Sequence, residues 1–223
     1  MNNAKALVFD CNGTLFWDSR FNLAAWNEIS LRYRGVPYSE EEMARLDGRT
    51  SGVTAAYFLG LPLEDPKVNE VVDEKEDLYA RLCLTAGSPS LAPGAVELFD
   101  QAKKNGYLLA IATSAPKRNM DMYRSWWPVL ELMDAIVCDD GKRRGKPMPD
   151  IYLDTCKALG HGPRSVVVFE DSLQGIQAAL SAQVDQVWQV VNDTHPAPIA
   201  GVRGRLSGFP GVHPLPVITF SAG

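Results

Sequence analysis

Two kinds of hydrophobic pattern divide the chain. Leu7, Val8 and Phe9 form an unbroken apolar run, cut off at once by polar residues and glycine. Such a run suits a strand buried on both faces. Similar runs at residues 107–112, 135–138, 166–169 and 186–191 predict further strands, the last being the final strand the pattern supports. Between them, residues 95–104, 118–126, 150–159 and 173–182 read as helices. Asn105-Gly106 stops the first of these and Pro149 introduces the third. Residues 16–86 have a different texture, with no strand-like run. Phe21, Trp26, Ile29 and Tyr33 recur at roughly helical spacing behind Asp18 and Ser19, which offer an N-cap. Gly35 and Pro37 stop that helix. Ser39 followed by Glu40 to Glu42 opens another, with acid in its first turn. Residues 50–59 and 64–84 read as two more helices.

Short apolar runs alternating with helices indicate an α/β protein built on a doubly wound parallel sheet. The all-helical stretch is then an insert, and residues 86–94, rich in Gly, Ser and Pro, read as a linker or hinge. The expected division is a core from residues 1–15 and 90–223, and a helical cap with its hinges from residues 16–89. The tail after Asn192 is rich in Pro and Gly and predicts no element. There are no internal repeats.

Composition narrows the function classes. The chain has 223 residues, 46% of them apolar, enough for a substantial core. The net charge of −5 gives no basic footprint for nucleic acid. No apolar run is long enough to span a membrane, and MNNAKALVFD lacks the features of a secretory signal. Cys11, Cys83, Cys138 and Cys156 are widely spaced and form no CxxC, so reduced thiols in a cytoplasmic protein are expected. Cys11 reads as an apolar filler pointing away from its polar neighbours rather than a thiol nucleophile. The oligomeric state is left open, with a monomer as the expectation.

The candidate chemistry lies where strands end. Asp10 and Asn12 follow the first strand, and Thr113 and Ser114 the second. Gly145-Lys146-Pro147 lies beyond the third, and Glu170-Asp171 follows the fourth. Parallel strands bring these ends to one edge of the sheet, where open α/β sheets bind ligands. Each has a plainer reading: Asp10 opens a turn, Ser114 or Asp171 caps a helix, Lys146 belongs to a solvated basic run. Together they assemble three acids, a hydroxyl and an ammonium. Phosphoryl transfer uses these types: acids for Mg²⁺, a carboxylate nucleophile, and Ser114 and Lys146 for the non-bridging oxygens.

In this order the motifs closely resemble those of the haloacid dehalogenase superfamily, in its branch of capped phosphatases and β-phosphoglucomutase-like enzymes. Asp10, Gly13 and Thr14 match the first motif and Ser114 in IATSAPKRN the second. Lys146 in GKPMPDIY matches the third, and Glu170 and Asp171 in FEDSLQGIQAAL the fourth. The resemblance covers nearly all of the chain except the tail. It implies a Rossmann-like core with a mobile helical-bundle lid. It also implies Asp10 as nucleophile, forming an aspartyl-phosphate. The Mg²⁺ ligands it implies are Asp10, the backbone carbonyl of Asn12, and Asp171, with Glu170 close by.

The chain departs from the family at Asn12. The usual Asp there protonates the leaving oxygen and later activates water, which an amide cannot do. Such help is typically worth ~10²–10⁴-fold. Four explanations stand: a good leaving group, a proton from another residue, a weak or inactive phosphate binder, or an introduced substitution. Asn22 stands where mutase relatives carry an assisting His, which argues against a phosphomutase. Glu170-Asp171 argues against a metal-free dehalogenase. The expected function is a Mg²⁺-dependent phosphatase of a small phosphorylated metabolite. The alternative is a degenerate member that binds phosphate or a partner protein without turnover. In the cap, Arg49 is either a fork for a second anionic group or a salt bridge with Asp47 or Glu42. Trp26 is either cap core or a substrate wall.

Overall fold

The computed structural model describes residues 5–86, 89–192, 197–213 and 219–220. Six parallel strands form one sheet in the order β3-β2-β1-β4-β5-β6. They are β1 (Ala6–Phe9), β2 (Leu108–Pro116), β3 (Ala135–Asp139), β4 (Val166–Glu170), β5 (Gln186–Val190) and β6 (Gly204–Leu206). β1 lies at the centre, paired with β2 and β4. Its residues alternate between two cores, as a two-residue period requires. Leu7 and Phe9 face one side with Leu109, Ile111, Val167 and Phe169. Ala6 and Val8 face the other with Ala110, Val166 and Val168. The first face is covered by α5 (Ala95–Lys104) and α6 (Lys117–Trp126), the second by α7 (Asp150–Ala158) and α8 (Leu173–Ser181). The fold is therefore the doubly wound α/β sheet that the pattern predicts.

Four helices intervene between β1 and α5: α1 (Ser19–Arg34), α2 (Glu40–Leu46), α3 (Ser51–Leu59) and α4 (Pro66–Thr85). They share their own apolar cluster, which includes Trp26, Ile29, Leu46, Ala55, Phe58, Val68 and Val71. The α2 start follows the sequence closely. Ser39 Oγ accepts from the Glu42 N–H and the Glu42 carboxylate accepts from the Ser39 N–H, a complete capping box. The chain leaves the sheet after Leu15 and returns near Ala92, whose N–H donates to the Leu15 carbonyl at 2.8 Å. Of the linker at residues 86–94, Gly87 and Ser88 lie outside the described residues.

Three expectations change. Residues 113–116 continue β2 instead of leaving it, because the strand keeps a partner to its end, with Pro116 opposite Asp139 of β3. β5 is not the last strand: β6 joins its edge in parallel, and β7 (Val212–His213) pairs with β8 (Thr219–Phe220) in antiparallel. The tail also completes the core. Phe209 is buried, with ring centroids 5.6 Å from Phe9 and 5.5 Å from Phe169, and its N–H donates to Pro93 O at 2.7 Å.

Candidate active site

The C-terminal edge of the sheet gathers the polar groups. The Asp10 N–H donates to Phe169 O at 2.9 Å, which holds the residue between β1 and β4. The loop then turns sharply. Gly13 adopts φ +84°, and a Cβ there would overlap the Asp171 carboxylate. Glycine is what lets this loop lie against Asp171. Asp171, just past β4, accepts from Thr14 Oγ1 at 3.1 Å and from Asn192 Nδ2 at 3.0 Å. Asn192 Nδ2 also donates to the Gly13 carbonyl at 2.8 Å.

Lys146 enters from the loop between β3 and α7 and is 2% exposed. Its Nζ lies 2.6 Å from Asp10 Oδ1 and 2.5 Å from Glu170 Oε1. The sequence motifs point to Lys146 on phosphate oxygens and Glu170 beside the cation. In this structure the two side chains meet each other beside Asp10. Glu170 Oε1 also accepts from Tyr152, and its Oε2 accepts from the Ser172 N–H at 2.8 Å and Ser172 Oγ at 3.0 Å. Both Glu170 oxygens are thus spent within the protein. Oε1 pairs with the ammonium that also meets Asp10, and Oε2 binds the start of α8.

Three acids here face one ammonium, and the imbalance shows in the protonation of Asp10 and Asp171. Burial pushes the Asp10 carboxyl up to about 8, against the opposing pull of Lys146. Burial, with the charge of Glu170 next, raises Asp171 well above its ordinary range. Burial also depresses the Lys146 ammonium, but Asp10 and Glu170 outweigh it and leave its pKa well above normal. Such a site favours an added positive charge. Among the described residues, no three His, Cys, Asp or Glu side chains form a ready cage for a metal. Mg²⁺ does not need one: it keeps several waters and binds through one or two carboxylates plus substrate phosphate. Asp10, Asp171 and the Asn12 carbonyl fit that donor set.

A cavity of ≈ 470 Å³ opens from this edge towards the four helices. Asp10, Asn12, Arg49, Trp26, Thr113, Ser114 and Asp171 all line it, whereas Lys146 and Glu170 lie behind them. Thr113 Oγ1 accepts from the Ala115 N–H at 3.1 Å, and Ser114 Oγ donates to the Gly48 carbonyl at 2.9 Å, linking β2 to the loop after α2. Trp26 fits both of its readings, because it lines the cavity while its ring meets Phe58 edge-on at 5.5 Å. The ion-pair partner of Glu42 is Arg34, at 2.7 Å, and not Arg49. The buried Nε of Arg49 has no hydrogen-bond partner among the described residues.

Other residues on this edge carry no distinctive sequence signal. Asp18 does not cap α1. It turns inward, 1% exposed, and burial raises its pKa against hydrogen bonds from Tyr79 and Asn12. An acid just before a helix looks the same in sequence whether it caps or not. Tyr79 and Tyr123 are buried, and their hydroxyls reach Asn12 at 3.2 and 2.8 Å. Lys75 and Glu76, on α4, also line the cavity. Cys11 behaves as expected: it is buried in the apolar cluster, and burial pushes its thiol pKa well up.

Comparison with known proteins agrees with this geometry. The family model of haloacid dehalogenase-like hydrolases matches residues 4–183. Protein CbbY of Rhodobacter capsulatus is 32% identical over 186 residues, covering 80% of this chain and 82% of its own. The phosphorylated carbohydrates phosphatase of Thermotoga maritima is 30% identical over 196 residues, covering 84% and 86%. The structure of CbbY from Rhodobacter sphaeroides with xylulose-(1,5)bisphosphate superposes with a TM-score of 0.80 at 27% identity, over 94% of this chain and 96% of that one. The motif order, the doubly wound sheet with its helical insert and the extent of these matches converge: the chain belongs to the haloacid dehalogenase-like hydrolase family.

Proposed function

We propose that this protein is a phosphatase that hydrolyses a small phosphorylated carbohydrate through an aspartyl-phosphate on Asp10. The observation that carries this reading is the placement of Asp10. Its carboxylate lines the cavity, with Lys146 Nζ 2.6 Å from one oxygen and the Asp171 carboxylate on the adjoining loop. A carboxylate oxygen so placed can attack phosphorus while the alcohol leaves in line. Lys146 offsets the negative charge of the nucleophile, and Glu170 keeps Lys146 in place. Asp10, Asp171 and the Asn12 carbonyl would hold Mg²⁺, which when bound neutralises charge on the phosphoryl oxygens. Ser114 and the Thr113 side chain would meet those oxygens from β2.

The other end of the substrate would reach the helices. Arg49 offers unpaired donors to a second anionic or hydroxyl-rich part, and Trp26 supplies an apolar wall. The named activities of the relatives support a carbohydrate phosphate. The four helices would act as a lid, with a hinge near Phe16 and Trp17, and closure would shield the site from bulk water while the phosphoryl group passes to Asp10. Asn12 sets the rate. It cannot protonate the leaving alkoxide, so turnover should depend strongly on the leaving group.

The test is phosphate release from p-nitrophenyl phosphate, whose leaving group needs little protonation. Release that needs Mg²⁺, stops with EDTA and is lost in Asp10→Asn is expected. Tight phosphate binding with no release from this ester would identify a binding protein instead.

A further inference from the structure

One buried cluster beside the nucleophile reaches that chemistry only through Asn12. Asn12 Nδ2 donates to Asp18 Oδ2 and to the Tyr123 hydroxyl, each at 2.8 Å. Tyr79 Oη donates to Asp18 Oδ2 at 2.7 Å and lies 2.8 Å from Tyr123 Oη. Asp18 Oδ1 accepts from the Gly13 N–H at 3.2 Å. With Asp18 as a carboxylate, the protons can run in one direction only. Asp18 gives none, so Asn12 and Tyr79 both donate to it. Tyr79 has then used its proton, so Tyr123 donates to Tyr79, and a Tyr123 lone pair takes the second amide hydrogen. Every side-chain donor is used once, and the Gly13 N–H is shared with the Phe16 carbonyl at 2.7 Å. The amide nitrogen is fixed in the protein, and Oδ1 is the atom that Asn12 can present to the cavity it lines.

We propose that Asp18 is a positioning residue acting through Asn12, and that the two form a matched pair whose amide and carboxylate can be exchanged. Held by Asp18, the amide offers Oδ1 as acceptor to the water that attacks the acyl phosphate. The water oxygen bonds to phosphorus, and the bond from phosphorus to Asp10 breaks with its electrons on the carboxylate. One water proton stays on the phosphate and the other leaves to solvent. Asn12 accepts a hydrogen bond in this step and no proton. This role rests on the phosphatase reading; the pairing itself does not.

Single exchanges break the pattern. Asn12→Asp alone sets two acid oxygens at the 2.8 Å contact inside the protein. Asp18→Asn alone keeps its bonds only if the Asn12 amide turns over, which points Oδ1 into the cluster and takes it away from the cavity. The double exchange reverses the side-chain bonds instead. The amide oxygen then at position 18 keeps the Gly13 N–H, while its nitrogen donates to the carboxylate at position 12 and to Tyr79. Tyr79 in turn donates to Tyr123, and Tyr123 to the same carboxylate.

A double-mutant cycle tests the proposal on the parent, Asn12→Asp, Asp18→Asn and the double variant. Thermal unfolding is followed for all four, with burst and steady-state phases on p-nitrophenyl phosphate. Asn12→Asp should lower Tm by roughly 5 °C, and adding Asp18→Asn should recover most of that loss. Asp18→Asn should lower steady-state turnover about tenfold and leave the burst rate unchanged, a split that simple destabilisation would not produce. On an alkyl phosphomonoester the double variant should exceed both the parent and Asn12→Asp by about tenfold or more. Additive Tm shifts, or a gain from Asn12→Asp alone equal to that of the double, would overturn the pairing. If no variant releases phosphate, the phosphatase reading falls, and the Tm cycle still decides the pair.

Discussion

At the scale of single residues, the site is governed by an excess of acid. Asp10 has a folded pKa of about 8 against an ordinary 3.8. Between those values the folded protein holds a proton that the unfolded chain has released. Stability from this group therefore falls as pH rises through that window. Asp171 shifts in the same direction. Lys146 shifts the other way in effect: its raised pKa contributes fully at any pH below its ordinary 10.5, so it adds no slope here. The metal-free protein should thus lose Tm between pH 5 and pH 8. A divalent cation competes with protons for these carboxylates, so Mg²⁺ should raise Tm more at pH 8 than at pH 5. Asp171→Asn should remove most of that response. Calorimetry in EDTA and in Mg²⁺ at the two pH values checks this, and equal Mg²⁺ effects at both would contradict it.

At the scale of elements, a helix glycine carries a role that propensity would misjudge. Gly175 lies in α8, where Ala is normally better by about 1 kcal/mol. A Cβ at Gly175 would overlap the Glu170 carboxylate, the same carboxylate that holds Lys146. Overpacking typically costs ~1–3 kcal/mol, so the sign should reverse. Gly175→Ala should lower both Tm and turnover on p-nitrophenyl phosphate, because Lys146 loses its support. The rest of α8 was legible in the sequence, as were the five strands from β1 to β5 and the capping box of α2, since period and cap chemistry are local. The acids at the strand ends were legible because their type and order are distinctive. What the sequence hid is non-local. Asp18 looks like any acid before a helix until Tyr79, from a distant helix, and Asn12 both donate to it. Glu170 meets Tyr152 and Lys146 from other elements, contacts that no local pattern announces. β6 and Phe209 have no periodicity to betray them; only packing on β5, Phe9 and Phe169 gives them a place.

At the scale of the whole molecule, the four helices meet the sheet across the cavity through a few polar ties. Asn119 Nδ2, on α6, donates to Glu76 Oε2, on α4, at 2.6 Å. Glu76 Oε1 accepts from Ser51 at 2.6 Å and from Lys75 at 3.1 Å. Burial opposes the Glu76 charge, but Lys75 and these hydrogen bonds prevail and lower its pKa. It is therefore a buried carboxylate that needs its donors while the cavity is closed. Arg118 pairs with Asp73 and Asp77 nearby, but that tie is exposed and screened. If the helices act as a lid, the Asn119–Glu76 bond acts only on the closed state, since an opened Glu76 is solvated by water. Asn119→Ala leaves a buried acceptor of charge unsatisfied, a loss of ~1–3 kcal/mol. That energy shifts the closing equilibrium by about tenfold or more towards the open form. The expected result is a rise in KM on a carbohydrate phosphate and a fall in kcat/KM of about tenfold, with little change in Tm, because opening relieves the lost contact. Asn119→Asp should be more severe, since it places a second carboxylate against Glu76. A fall in Tm with KM unchanged would show that the bond holds the fold together and does not govern access to the cavity.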